Sequence, residues 1–455
     1  MDDEFMRTKP VFRLLLSMGV PMMISMFANS LYNIVDSIYI ASLGTEALTA
    51  LSLIYPMQNL IIAAGVGIGV GANAAIAKNL GAKDQEAADR SAMNGFELAL
   101  IAAFVCLLIG IFGVRPFIAL FTADPVVTKY AVDYGAIVMI FSFGNILQVY
   151  MEKVYQSVGR MMITMCFLLT AAGLNAILDP ILIFGLFGAP ALGTAGAAIA
   201  TVSAQIIVFT FYPIASHFRP IPVKFKRSDI GLDRKQCRQI LKVALPSGLT
   251  VGLPSLLTSV LNGILIGFSN VYVAVLGIYF KIQTFFYLPA SGLVQGMRPI
   301  VSYNYGAKEY ERVRKTVRYA MLLIAGILAV GTLIVEFAPG AILSLFQADP
   351  DLLGAGSDAF RRIGLGFIPS AVGYVCCGAF EALGKGWDSL VVSGTRQFAA
   401  IVFFSWILAP YLGVNGIWFS FPLAEICTAV LAFWMLRRVF LKDGILSGAG
   451  PNNPI

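Results

Sequence analysis

Two aspartates lie inside apolar runs long enough to cross a bilayer, where a carboxylate is costly unless it faces protein or water. Asp36 falls in the run Val11–Ile40, within the segment FANSLYNIVDSIYI. Asn29, Asn33 and Asp36 are spaced i, i+4, i+7, so a helix puts them on one face, and Tyr32, one turn before Asp36, widens the stripe. Asp179 falls in GLNAILDPILIFG, four residues after Asn175 and on the same helical face. Pro180 removes a backbone donor and leaves carbonyls free for water or an ion. Thr201, in GAAIAT on the following run, adds a hydroxyl oxygen. Two unpaired buried carboxylates near one another repel, and a bound proton or cation resolves the repulsion. These residue types therefore support reversible capture of H⁺, for which one carboxylate suffices, or of Na⁺, which needs a cage of oxygens. A polar helix–helix contact is the plainer use of the same side chains.

Other polar residues inside apolar runs have open readings. Gln148, Glu152 and Gln156 follow one another at i+4 steps. Glu152 is either a second ionisable group on a transport path or an interfacial acid paired with Lys153 or Arg160. Glu425 has the same two readings. Lys281 and Gln283 are the polar insertion of the second half; Lys281 counters a buried charge, lines a cavity or snorkels.

Hydrolytic and nucleotide chemistry find no support. His217 is the one histidine of the chain, and the six cysteines show no CxxC or Cys/His metal spacing. The glycine-rich GVGIGVGANAAIAKNLGAK lacks the G-x-x-x-x-G-K-[ST] pattern, and its glycines are expected to allow close helix packing. No enzyme activity, cofactor or structural metal is implied.

The elements that position these residues are membrane helices. Of 455 residues, 58% are hydrophobic and only 13% charged, whereas soluble domains carry about 25% charged residues. Runs of spanning length fall at about 11–40, 52–77, 92–114, 133–155, 162–187 and 191–215, then at 243–267, 271–297, 317–338, 360–382, 389–411 and 415–437. The N-terminal MDDEFMRTKP has no signal-peptide layout. Numbering these runs as twelve helices puts nearly all Lys and Arg on one side. The exceptions are Arg115, Lys129, Arg361 and Arg362, with Lys281 inside a span. This tally counts Lys153, Arg298 and Arg396 among the loop charges. The positive-inside rule then predicts both termini in the cytoplasm. It also accounts for the net charge of +7 without any nucleic-acid partner.

The chain repeats itself. Asn79-Leu-Gly-Ala-Lys83 recurs as Asn304-Tyr-Gly-Ala-Lys308, Phe121–Pro125 as Phe346–Pro350, Pro21 as Pro246, and Val158-Gly-Arg160 as Leu383-Gly-Lys385, all 225 residues apart. Near the end the offset is 220, as in Leu192-Gly193 against Leu412-Gly413. Six helices per half, both starting inside, make parallel repeats. The expected division is 1–218 as the first six-helix lobe, 219–242 as a cytoplasmic linker, 243–440 as the second lobe and 441–455 as a tail. Asn29, Asn33 and Asp36 match Pro254, Thr258 and Leu261, so the second half does not duplicate the first carboxylate.

Twelve spans in two parallel repeats, Pro21, Tyr32 before Asp36, the GAK loops and the N-x-x-x-D-P of Asn175–Pro180 resemble the multidrug and toxic compound extrusion (MATE) family over about residues 10–440. The resemblance implies an all-α, two-lobed, V-shaped transporter. It would export amphipathic, often cationic, drug-like small molecules in exchange for H⁺ or Na⁺ by alternating access. Carried over by position, the coupling ion, including a Na⁺ if that is the ion, belongs to Asp36, Asn175, Asp179 and Thr201. Asn29, Tyr32, Asn33, Gln148, Glu152, Lys281 and Gln283 would line the substrate cavity. A monomer in the plasma membrane of a prokaryote is expected to suffice. A lipid-linked oligosaccharide flippase of the same superfamily is the competing reading. It would need a strongly cationic cavity, for which Lys281 and Arg298 are the candidates. A symmetric pore fits less well, because the acids are confined to one half.

Overall fold

The computed structural model describes residues 5–346 and 350–446, and no strand occurs among them. The first half contains α1 (Val11–Ala41), α2 (Thr45–Gly81), α3 (Gln85–Phe112), α4 (Pro125–Ile140), α5 (Phe143–Ser157), α6 (Met161–Phe184) and α7 (Thr194–Phe218). The second contains α8 (Arg234–Thr250), α9 (Leu253–Ile266), α10 (Asn270–Gly306), α11 (Tyr310–Phe337), α12 (Pro350–Gly364), α13 (Phe367–Ala382), α14 (Gly386–Gly394), α15 (Ala400–Leu412) and α16 (Val414–Lys442). Among the described residues ten helical segments are long and apolar enough to cross a membrane; α8–α9 and α14–α15 each count as one. The pairs α4–α5 and α12–α13, bent by 46° and 51°, bring the number to twelve if each is one span. The protein is thus an all-helical, multi-pass membrane protein.

Local chemistry sets many of the ends. Asp84 accepts from the Ala87 amide at 3.0 Å and caps α3. Asp124 accepts from the amides of Val126 and Val127 at 2.8 and 3.1 Å, and Pro125 follows at the first helical position, so the Phe121–Pro125 motif is a helix start. Its match, Asp349, lies outside the described residues. The repeat extends to backbone angles. Lys83 and Lys308 both have φ of 60°, Gly159 and Gly384 have 75° and 76°, and Gly193 and Gly413 have 56° and 58°. The length difference between the halves falls after α6: the first half continues through 185–193, where Gly413 directly follows α15. The 225-residue offset therefore holds through Asn175 and Asp179, which match Ala400 and Phe404.

The chain forms two compact units. The first is Ile24–Val251; the second comprises the described parts of 5–23 and 252–446. Each unit thus takes the beginning of a helix that the sequence assigns to the other half. In the first unit, Gly67 and Gly71 of α2 lie against the backbone of α8. A Cβ on Gly67 would come 2.5 Å from the Ala244 carbonyl, and one on Gly71 would collide with the Ile240 carbonyl. In the second unit, Gly292 and Gly296 of α10 lie against α1, where added Cβ atoms would come 2.5 Å from the Met23 amide and 2.6 Å from the Gly19 amide. Residues 67 and 71 match 292 and 296 at the repeat offset, and Gly19 matches Ala244. Glycine is required here because two helix backbones touch.

The 219–233 connection is fixed to the first unit. Buried Asp89 accepts from the Lys224 amide at 3.0 Å and pairs with the Lys226 ammonium at 2.7 Å. That carboxylate holds the Lys226 ammonium above its ordinary pKa. Asn94 accepts from the Asp233 amide at 2.8 Å and donates to the Gly231 carbonyl at 3.1 Å. The start of the chain is fixed to the second unit: Arg7 pairs with Glu309 at 2.8 Å, and Arg312 donates to the carbonyls of Met6 and Lys9.

Candidate functional site

The carboxylates singled out by sequence meet in the first unit. Asp36 comes from α1, Asn175 and Asp179 from α6, and Thr201 from α7. α6 and α7 are antiparallel neighbours, and Gly196 brings them together; a Cβ there would collide with the Leu182 carbonyl. Helix α6 runs unbroken through Pro180 to Phe184. Asp179 is fully buried, Asn175 and Thr201 nearly so, and Asp36 half-buried.

The hydrogen-bond network assigns the Asn175 amide. Its Nδ2 donates to Asp179 Oδ2 at 2.5 Å, while its Oδ1 accepts from the Thr201 amide at 3.2 Å and the Thr201 hydroxyl at 3.0 Å. The Thr201 side chain also partners the Tyr32 hydroxyl. The carboxyl groups of Asp36 and Asp179 lie within hydrogen-bonding reach of each other, and one oxygen of each, Oδ1, has no partner. Two anionic carboxylates at that separation repel, since neither can donate. One proton, or one cation between them, turns the contact attractive.

Two residues of this neighbourhood carry no charge and were missed by sequence reasoning. Tyr134 of α4 is buried within electrostatic reach of Asp36, Tyr32 and Asp179. Its hydroxyl accepts from Gln58 Nε2 of α2 at 2.9 Å. A tyrosine and a glutamine in apolar runs give no periodic signal of their own. Pro56, two residues before Gln58, was the available hint of a special place in α2.

The remaining candidates have surroundings of their own. Asn29 and Asn33 are exposed on α1, and the Asn33 amide donates to the Asn29 carbonyl at 2.9 Å. Gln148 is buried. Glu152 is buried and engaged: Lys153 Nζ lies 2.8 Å from its Oε1, and Gln156 Nε2 donates to the same oxygen at 2.7 Å. Gly69 makes room for Lys153, since a Cβ there would come 2.7 Å from Lys153 Cγ. In the second unit Lys281 is exposed, its ammonium 6.0 Å from the Phe346 ring centroid, and Gln283 is half-buried. Arg298 is paired with Glu381 at 2.5 Å.

The three charges counted as loop residues require correction: Arg298 lies within α10, and the other two are deeper still. Lys153 and Arg396 are both buried, the first against Glu152 and the second 3.3 Å from Glu425. Burial without a partner would be prohibitive for either cation, and each has a carboxylate on hand. Among the described residues no group of three or more His, Cys, Asp or Glu side chains is placed to hold a metal ion. The Asp36 cluster offers two carboxylates, supplemented by neutral oxygens of Asn175, Thr201 and Tyr32.

Comparison with known proteins bears on what this arrangement serves. A family model described as MatE matches residues 21–181 and 246–407. The chain is 26% identical over 440 residues to the multidrug export protein MepA of Staphylococcus haemolyticus (strain JCSC1435), covering 96% of each. It is 27% identical over 458 residues to MepA of Staphylococcus aureus (strain MSSA476), covering 97% of each. A solved multidrug resistance MATE family transporter of the MOP superfamily, in an outward-facing conformation, superposes with a TM-score of 0.90 at 25% identity, over 98% of this chain and 99% of that one.

Proposed function

The chain belongs to the MatE family of membrane transporters; from that membership we propose that it is a secondary antiporter that exports amphipathic, often cationic, drug-like compounds in exchange for H⁺ or Na⁺. It is a transporter and not an enzyme. The observation that carries the exchange reading is the pair Asp36 and Asp179, facing one another with an unpartnered oxygen each beside Asn175, Thr201 and Tyr32. Such a pair has two states of different charge. With the ion gone the pair carries two negative charges and attracts a cationic compound; with one ion bound it carries one, its hold on the compound weakens and the compound leaves. A ligand shifts the transporter between conformations only by its differential affinity for them, and the charge change supplies that difference. Alternating access in a prokaryotic plasma membrane, with both termini in the cytoplasm, completes the reading. Glu152, engaged with Lys153 and Gln156, is assigned to holding α5 rather than to the exchange.

The test is export from proteoliposomes with a pH gradient or a Na⁺ gradient imposed separately. Wild-type protein exports under one of them, and Asp36→Asn does not. Intact protein that answers neither gradient would refute the antiporter and favour movement of lipid-linked anions. That second activity has little cationic surface to work with, because Arg298 is paired with Glu381.

A further inference from the structure

The second unit buries a charged pair that the exchange leaves unused. Arg396 lies on a π turn, Thr395–Ala399, between α14 and α15, and Glu425 lies on α16. They are 7% and 8% exposed. Arg396 Nη1 donates to Glu425 Oε1 at 3.3 Å. The guanidinium also lies 4.2 Å from the ring centroid of Tyr374 on α13. Tyr287 of α10 packs on that ring at 5.1 Å and is fixed by a 2.7 Å hydrogen bond between its hydroxyl and Ser370. Tyr279, one helical stretch earlier, lies within electrostatic reach of both charges, as Tyr287 does.

Space has been cleared for the arginine: a Cβ on Gly373 would come 2.9 Å from Arg396 Cδ. Hydrogen-bonding capacity is nevertheless left over: Arg396 Nε and Glu425 Oε2 have no partner. At the repeat offsets the first half has Ala171, Gln148 and Gln205 where the second has Arg396, Gly373 and Glu425. The arrangement therefore belongs to the second half alone. Stability does not account for it. A buried ion pair is usually no better than well-packed apolar residues of the same size, and a π turn is a local departure from good helix geometry. A carboxylate and a tyrosine ring on one planar cation, backed by two further tyrosines, is, in contrast, the chemistry of cation recognition.

We propose that Glu425, Tyr374, Tyr287 and Tyr279 form a guanidinium-binding site inside the second unit, and that Arg396 is its built-in ligand. The second unit then carries its neutralising cation covalently, while the first exchanges its own with solution; this contrast rests on the antiporter reading above. Removing the tethered ligand leaves a site that takes a free one. In Arg396→Ala, millimolar guanidinium or methylguanidinium raises the thermal unfolding midpoint of the detergent-solubilised protein, because a ligand that binds the folded state stabilises it. The same salts leave wild type and the Arg396→Ala/Glu425→Gln double variant unmoved, and urea, planar but neutral, moves none of the three. The double variant also keeps the ion dependence of wild-type export. Folded Arg396→Ala that does not respond to guanidinium, or a response equal in all three proteins, overturns the site. If Arg396→Ala is recovered only when guanidinium is present during purification, the site is supported; if only Glu425→Gln restores it, the site is overturned. Loss of ion dependence in a folded double variant overturns the tethered role. The unfolding readout needs no transport, so wild-type protein that exports under neither gradient counts against the antiporter and leaves this site standing.

Discussion

In the first unit two aspartates face one another, each with an oxygen that lacks a hydrogen-bonding partner. In the second, the matching positions are Leu261 and Phe404, and two charges buried elsewhere in that unit, Arg396 and Glu425, are bonded to each other. The aspartate pair is short of a positive charge, whereas Glu425 has one held beside it by the chain. Helices that repeat down to the φ of Lys83 and Lys308 have therefore been given opposite electrostatic tasks. A carboxylate pair waiting for a small cation can take up and release it; an arginine on a packed helix cannot leave. The difference teaches that one scaffold can recur in both halves while a few side chains set the charge that each half buries.

The contrast is broken most completely at the aspartates. Asp36→Asn and Asp179→Asn are each expected to abolish gradient-driven export while the protein still inserts and folds. Export assays in proteoliposomes beside size-exclusion profiles would check this, and coupled export by either variant would remove the first unit's special status. The next largest effect concerns the engaged charges. Lys153→Met leaves Glu152 buried without its cation and should cost about 3–5 kcal/mol of stability, whereas Lys153→Met with Glu152→Gln should recover most of that loss. Denaturant or thermal unfolding of both variants measures the gap, and equal losses would mean that the pair is not the reason for the cost.

The shared scaffold gives a smaller, symmetric pair of effects. Gly71→Leu and Gly296→Leu push a side chain into the backbone of α8 and of α1 respectively. Each should cost about 1–3 kcal/mol or more, and the two midpoints should fall by similar amounts; a loss confined to one would show that the two contacts do not correspond. The smallest effect is a pH dependence at the start of α8. Asp233 accepts from the amides of Lys235 and Gln236 at 2.7 and 3.2 Å, and these bonds hold its carboxyl below the ordinary range. A carboxyl that is more acidic when folded contributes stability at neutral pH and loses it as the pH falls through the folded value. Protection of the 219–233 amides, taken relative to their intrinsic exchange rate at each pH, should therefore fall under acid conditions in wild type. Asp233→Ser, which caps without titrating, should flatten that dependence.

Much of this was legible in the sequence because it is local or periodic. Spanning runs follow from length and hydropathy, and the repeat from residue identities such as Asn79 and Asn304. The meeting of Asp36 with Asp179 was legible because an acid in a membrane run must find company. Other features depend on contacts far apart in sequence. Nothing in the spacing of Gly67 and Gly71 says that their neighbour is Ala244 instead of a residue of the same half. Arg396 reads as a loop charge because the eye groups it with Lys385, and only the π turn and the opening at Gly373 carry it into the interior. Asn29 and Asn33 share a helical face with Asp36, yet both are exposed while Asp36 reaches Asp179. A face defined by angle is broader than a site defined by contact.

The traded helix beginnings bear on how the chain must be assembled. Each unit is completed by a piece of chain from the other half: 5–23 in one direction and Arg234–Thr250 in the other. The two halves trade equivalent leading segments, as the partners in a domain swap do. Severed between residues 219 and 233, the chain should yield two fragments that are each missing a wall, and that become whole only when made together.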